Sequence, residues 1–218
     1  MKTKTFIKIL GVSIVLLTTT SCDDYLDVSS PSNTSEIEVY NDASYTYSAL
    51  VGVYNQLAGD NGYGNRISSI IGQAADDFKT SGDYNCNDRR GISMYNACPT
   101  NPELDKPFRQ LYTGIERANL LIYNIPTSDV YKSGSDSDKK LMDRYYGEAL
   151  TLRAQYYYEL IRNFGDVPFQ DKPSSQYEHI FLPKTDRDEI YEVLLNDLET
   201  ASKVIPWRAE SGDPTTRI

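Results

Sequence analysis

Between Phe78 and Thr100 the chain has no sustained period, and it gathers tyrosine beside acids and amides. A tyrosine ring offers a flat apolar face that suits the C–H surface of a sugar, while neighbouring amides and carboxylates can bond its hydroxyls. Long irregular loops in compact domains often carry function. Asp83, Tyr84, Asn85 and Tyr95 are therefore the candidate ligand-binding residues; the stretch also reads as an ordinary solvated loop. Cys86 and Cys98 lie twelve residues apart within it. Exported proteins can join such a pair as a disulfide, and closing so short a loop would contribute about 3 kcal/mol in the chain-entropy model. Spacing alone does not show whether their Cα atoms come within bonding range. Two cysteines and one distant His179 do not make metal-ligand spacing, so neither a metal nor a cofactor is expected.

Catalytic spacing is weak. Glu148 and Glu159 are eleven residues apart on one expected helix, about 16 Å along its axis. Glycosidase carboxyl pairs lie about 5–10 Å apart, so this pair does not qualify. A Ser-His-Asp arrangement could use only His179, which sits in an irregular segment without an evident partner. No glycine motif that cradles phosphate is present. The protein is expected not to be an enzyme. The 22 basic and 31 acidic residues give a net charge of −9, which argues against nucleic acid because phosphate neutralisation needs clustered Lys and Arg. The chain carries 18 Tyr against 6 Phe and 1 Trp. Most of those tyrosines are expected to line helix faces with their hydroxyls at the edge.

The elements that must position these residues are helices. Leu141, Tyr145, Ala149, Leu152, Tyr156, Leu160 and Phe164 recur every three or four residues, which predicts a helix over about 137–164. Gly165 is expected to end it in the left-handed conformation, and Pro168 prevents it from resuming. Asn41 or Asp42 can cap a helix over about 43–58. A shorter helix is expected over 67–75. Asn101 and Pro102 suit the start of another, which runs to Ile125 and stops at Pro126. Thr185 with Asp188 reads as a capping box for a last helix ending before Pro206. No strand alternation of useful length is present. The expected fold is all-α, made of helical hairpins with long irregular loops.

The N-terminus reads as an address. Lys2, Lys4 and Lys8 precede and enter a mostly apolar stretch from Phe6 to Leu17. This is shorter than the roughly 20 apolar residues that span a bilayer, so a signal peptide is expected. Leu17-Thr18-Thr19-Thr20-Ser21-Cys22 resembles a bacterial lipobox, in which Cys22 would be acylated. Two acyl chains make a stable anchor. The expected division is a signal peptide at 1–21, an acidic and polar tether at 22–41, and a helical domain at 42–218. Beyond residue 21 the net charge is −12, so attachment to a membrane would be through lipid rather than by adsorption.

Three segments carry a family resemblance. The run E-A-L-T-L-R-A-Q-Y-Y-Y-E-L-I-R-N-F-G-D-V-P-F, from Glu148 to Phe169, resembles the signature helix of the SusD/RagB family. E-R-A-N-L-L-I-Y-N-I, centred on Asn119, resembles its second recurring motif. Cys22-Asp23-Asp24-Tyr25-Leu26-Asp27 resembles how mature chains of the family begin, and its acidic tract resembles the surface-export signal of Bacteroidetes lipoproteins. The resemblance implies a tetratricopeptide-like helical core and structural roles for Asn119, Glu148, Arg153, Gly165 and Pro168. It implies a lipoprotein on the outer face of the outer membrane that binds oligosaccharide or polysaccharide and passes it to a TonB-dependent, SusC-like transporter. A peptide or glycoprotein binder of the same architecture is the alternative, with a surface glycoside hydrolase behind it. Thr216-Arg217 resembles a pair that introduces a further helix in the family, whose chains are more than twice this length, so the resemblance implies a truncated N-terminal part.

Overall fold

A computed structural model describes residues 36–179 and 181–207. The signal-peptide stretch, Cys22 and the acidic tract lie outside the described residues, as does Thr216-Arg217. The described residues fall within one compact unit that begins at Glu36. Its α-helices are α1 (Glu36–Tyr40), α2 (Ala43–Tyr54), α3 (Arg89–Ser93), α4 (Pro102–Asn124), α5 (Asp129–Ser133), α6 (Asp136–Phe164) and α7 (Arg187–Val204). Two short strands, β1 (Val167–Pro168) and β2 (Lys184–Thr185), pair antiparallel with Val167 opposite Thr185. Among the described residues the fold is all-α apart from this clasp.

Helix α6 is the centre, and local chemistry sets both its ends. The Ser135 hydroxyl accepts from Asp138 N, and the Asp138 carboxylate accepts from Ser135 N, both at 3.2 Å. This reciprocal box satisfies two otherwise orphaned donors. Gly165 follows Phe164 at φ 72°, ψ −131°. Its φ is positive, as the helix end requires, but its ψ lies outside the left-handed helical well. That region is open to glycine and closed to residues with a Cβ. The chain can then turn sharply into β1.

The apolar stripe of α6 meets α2, α4 and α7. Leu50 and Val53 of α2, Leu111, Ile115, Ala118 and Leu121 of α4, and Ile190 and Leu194 of α7 join Met142, Ala149, Leu152, Tyr156 and Leu160 in one buried cluster. Tyr156 and Tyr157 are wholly buried. The Tyr156 hydroxyl donates to Val53 O at 2.6 Å, so the ring spans the core and its polar tip is satisfied. Gly114 makes this possible, because a Cβ there would stand 2.5 Å from the Tyr156 ring.

Several expected boundaries move, each for a physical reason. Helix α1 lies inside the stretch read as tether: Tyr40 is buried, and the Thr46 hydroxyl donates to Val39 O at 2.9 Å, tying α1 to α2. Helix α2 ends at Tyr54 rather than near Ala58, because the chain tightens into i→i+3 turns through Gln56 and Leu57. The helix expected over 67–75 is a π-helical turn, Arg66–Ile70, followed by a 3-10 turn, Ile71–Gln73. Asp186, not Thr185, caps α7 by accepting from Asp188 N at 2.8 Å. Thr185 is instead held in the β1–β2 ladder.

Candidate functional site

The polar residues of α6 are struts of the fold. Glu148 is wholly buried; it accepts from Arg144 Nε at 3.0 Å and from the Tyr54 hydroxyl of α2 at 2.8 Å. Arg153 is also buried. Its Nε and Nη2 donate to Asp197 Oδ2 of α7 at 2.9 and 2.6 Å, and its Nη1 donates to Asn119 Oδ1 of α4 at 2.9 Å. Asn119 in turn donates to the carbonyls of Gln170 and Lys172, at 2.9 and 3.2 Å. Pro168 O accepts from the Tyr112 hydroxyl at 2.7 Å. One connected set of bonds therefore joins α4, α6, α7 and the segment after β1. Glu159 accepts from the Tyr63 hydroxyl at 2.5 Å and from Arg162 at 2.8 Å. Burial, and next the Glu159 hydrogen bond, push the Tyr63 hydroxyl up to about 12. Glu148 and Glu159 are thus engaged carboxylates, and His179 is exposed in its loop. Among the described residues no cluster of three or more His, Cys, Asp and Glu could hold a metal.

The loop between the 3-10 turn and α4 is built differently. Cys86 and Cys98 are joined by a disulfide with Cα atoms 5.1 Å apart, and Cys98 N donates to Cys86 O at 3.1 Å. Asn101 is wholly buried and works in two directions. Its Oδ1 caps α4 by accepting from Glu103 N at 2.9 Å. Its Nδ2 donates to Cys86 O at 2.7 Å and to Asp88 O at 3.0 Å. Asp88 caps α3 by accepting from Arg90 N at 2.7 Å and pairs with the Arg90 guanidinium. That pairing holds the Asp88 carboxyl below its ordinary range. Asn87 Oδ1 accepts from the Thr100 hydroxyl at 3.1 Å. These bonds fix the loop from within.

The stapled loop presents its candidate residues outward. Asp83, Tyr84, Asn85 and Tyr95 are all exposed. The Tyr84 hydroxyl donates to Asn96 O at 2.9 Å, which puts the tip of that ring at the Asn96–Ala97 peptide. Tyr95 is 67% exposed and is the one described non-glycine residue with positive φ, at 54°. The cause is the end of α3. Tyr95 N donates to Ile92 O at 3.0 Å, and Asn96 N donates to Gly91 O at 2.8 Å. This is the paired-bond helix stop whose left-handed position is usually glycine. Sequence reasoning named Tyr95 for its ring. It missed this stop, and it missed the second role of Asn101. A short capped turn at Asp88 followed by six residues to a polar Tyr-Asn pair was the available signal.

Comparison with known proteins follows the same lines. A family model described as "Starch-binding associating with outer membrane", of SusD-like proteins, matches residues 24–218. SusD-like protein P25 of Formosa agariphila is 24% identical over 187 residues, which cover 83% of this chain and 34% of that protein. The crystal structure of a SusD homolog from Bacteroides thetaiotaomicron superposes with a TM-score of 0.69 at 29% identity, over 80% of this chain and 33% of that one. Surface glycan-binding protein A from Bacteroides uniformis superposes at 0.61 with 26% identity, over 80% and 37% of the two chains. The chain thus spans about a third of the length of the curated relatives it matches. Among the described residues no helix is long and apolar enough to cross a membrane.

Proposed function

Since the chain belongs to the SusD-like family, we propose that it is a non-catalytic glycan-binding protein whose stapled loop presents Tyr84 and Tyr95 as a stacking platform, with Asp83 and Asn85 bonding sugar hydroxyls. The observation that carries this reading is Tyr95. An exposed aromatic ring sits where glycine would be less strained, and such strain persists where its surroundings enforce it, often at ligand clamps. The two backbone bonds that stop α3 enforce it here. A loop held in its binding conformation loses little freedom when ligand arrives, which favours affinity. The glycan-binding neighbour from B. uniformis supports the ligand class. In this reading Cys22 is acylated, the protein sits on the outer face of the outer membrane, and the bound glycan passes to a TonB-dependent, SusC-like transporter.

A glycan array followed by calorimetry on the purified protein tests the platform. The expected result is saturable binding of an α- or β-glucan oligosaccharide without turnover. Each ring is worth about tenfold in affinity by ordinary stacking energies, so Tyr84→Ala and Tyr95→Ala should each weaken binding by roughly that factor. Glycan binding unchanged in the double variant would remove the platform from the mechanism.

A further inference from the structure

Helix α4 carries Arg109, Thr113 and Arg117 on one exposed face. Between that face and the Gln170–Ser174 segment runs an open groove of about 650 Å3, lined also by the half-buried rings of Phe108 and Tyr112. It shares no residue with the stapled loop. The Tyr112 hydroxyl is engaged by Pro168 O, so that residue has its ring, rather than its hydroxyl, to offer a ligand. The groove holds one carboxylate, Glu116, and both its oxygens are occupied. They accept from Ser174 N at 3.0 Å, from the Ser174 hydroxyl at 2.8 Å and from the Gln170 amide. Glu116 thus works as a strut under the groove.

The two arginines are placed but not consumed. Arg117 Nη1 donates to Gly52 O at 2.7 Å, which orients its guanidinium, and it has no carboxylate partner among the described residues. Arg109 uses only Nε, on Asp105, and its side chain is 76% exposed. Their remaining N–H groups form planar forks of the kind that recognise carboxylate and sulfate oxygens bidentately. Eight residues on one helix separate them by about 12 Å, the span of a short oligosaccharide rather than of a single sugar. This places two guanidiniums, one of them paired with Asp105, beside aromatic walls on a chain whose net charge is −9. We propose that the α4 groove is a second carbohydrate site, selective for an acidic oligosaccharide whose carboxylate or sulfate groups pair with Arg117 and Arg109 while a ring packs on Tyr112.

The inference rests on the reading of the protein as a glycan binder, and the test separates the two. Calorimetry on the purified protein would use an oligogalacturonate, a sulfated galactan oligosaccharide and a neutral glucan oligosaccharide of equal length. At least one acidic probe should bind roughly tenfold or more tightly than the neutral one at this site; which of the two binds assigns carboxylate or sulfate. Binding should weaken as salt shortens the screening length from about 10 Å at 0.1 M to about 3 Å at 1 M. Arg109→Ala with Arg117→Ala should abolish the preference. Arg117→Gln, which can still donate to Gly52 O but has no charge, should reduce it alone. Tyr84→Ala with Tyr95→Ala should weaken the neutral probe and leave the affinity for the acidic probe unchanged, so a failure of the loop platform reads out on the neutral probe only. Equal affinity for acidic and neutral probes in the Tyr84→Ala/Tyr95→Ala background, or acidic-probe binding that survives the double arginine variant, overturns the proposal.

Discussion

In the proposed platform, Tyr95 sets stability against binding. A non-glycine residue in the left-handed region costs about 1–2 kcal/mol, and glycine recovers that at an entropic cost of about 0.5–1 kcal/mol. Tyr95 is 67% exposed, so little packing is at stake. Tyr95→Gly should therefore stabilise the protein by about 0.5–1 kcal/mol, a rise of roughly 1–4 °C in Tm for a chain of this size, while weakening glycan binding. A thermal melt and a titration on one sample decide it: a fall in Tm with unchanged affinity would mean the ring is there for packing. The sequence could nominate Tyr95 because tyrosine beside asparagine and aspartate is a sugar-site chemistry. It could not show the backbone angle, which depends on the carbonyls of Gly91 and Ile92 being free to receive two amides. Asn101 is similar. Its cap on α4 follows from the Asn-Pro pair, but its grip on the carbonyls of Cys86 and Asp88 comes from a fold of the loop that no periodicity encodes.

At the scale of elements, α6 was legible as a stripe and illegible as a network. Its apolar residues repeat with the helical period, so its length, its face and its stop at Gly165 follow from spacing. Its buried Arg153 lies between those positions and finds partners 34 and 44 residues away, Asn119 and Asp197. Local pattern carries no information about such pairs. Short elements were missed for a related reason: α1 and the β1–β2 clasp are too brief to show a period, and they exist because tertiary neighbours hold them. The network sets the cost of breaking it. Removing Arg153 would leave the buried carboxylate of Asp197 without its counter-charge, and breaking such a pair typically costs about 3–5 kcal/mol. Arg153→Leu should lower Tm by roughly 6–20 °C. Asp197→Asn should cost less, because the guanidinium keeps Asn119 Oδ1 and Asp171 O as acceptors. Equal losses for the two variants, measured by denaturant unfolding, would mean that the ion pair itself is not what couples α6 to α7.

For the molecule as a whole, the choice of tyrosine over phenylalanine has a consequence in pH. Several tyrosines in and around the core have hydroxyls that reach backbone or carboxylate acceptors: Tyr156 to Val53, Tyr112 to Pro168, Tyr63 to Glu159. Burial holds Tyr112, Tyr156 and Tyr157 neutral well above the ordinary tyrosine value of 10.0. Burial followed by a carboxylate hydrogen bond raises Tyr63 and Tyr177 to about 12. In the unfolded chain these same groups ionise near 10. Below that pH both states hold the protons and stability is unaffected. Above it the unfolded chain releases protons that the folded protein keeps, so unfolding becomes progressively easier as pH rises from 10 towards 12 and beyond. The protein should therefore show a Tm that is level from about pH 8 to 9.5 and falls steeply above about 10. Tyrosinate absorbance should appear in two phases, an early one from exposed rings and a late one that coincides with loss of helical signal. Tyr156→Phe removes one buried ionisation and should soften the fall, although it leaves Val53 O with Gln56 N alone and lowers Tm at neutral pH. A Tm that stays level to pH 11, or a single tyrosinate phase preceding any loss of helix, would show that the buried hydroxyls do not govern alkaline unfolding.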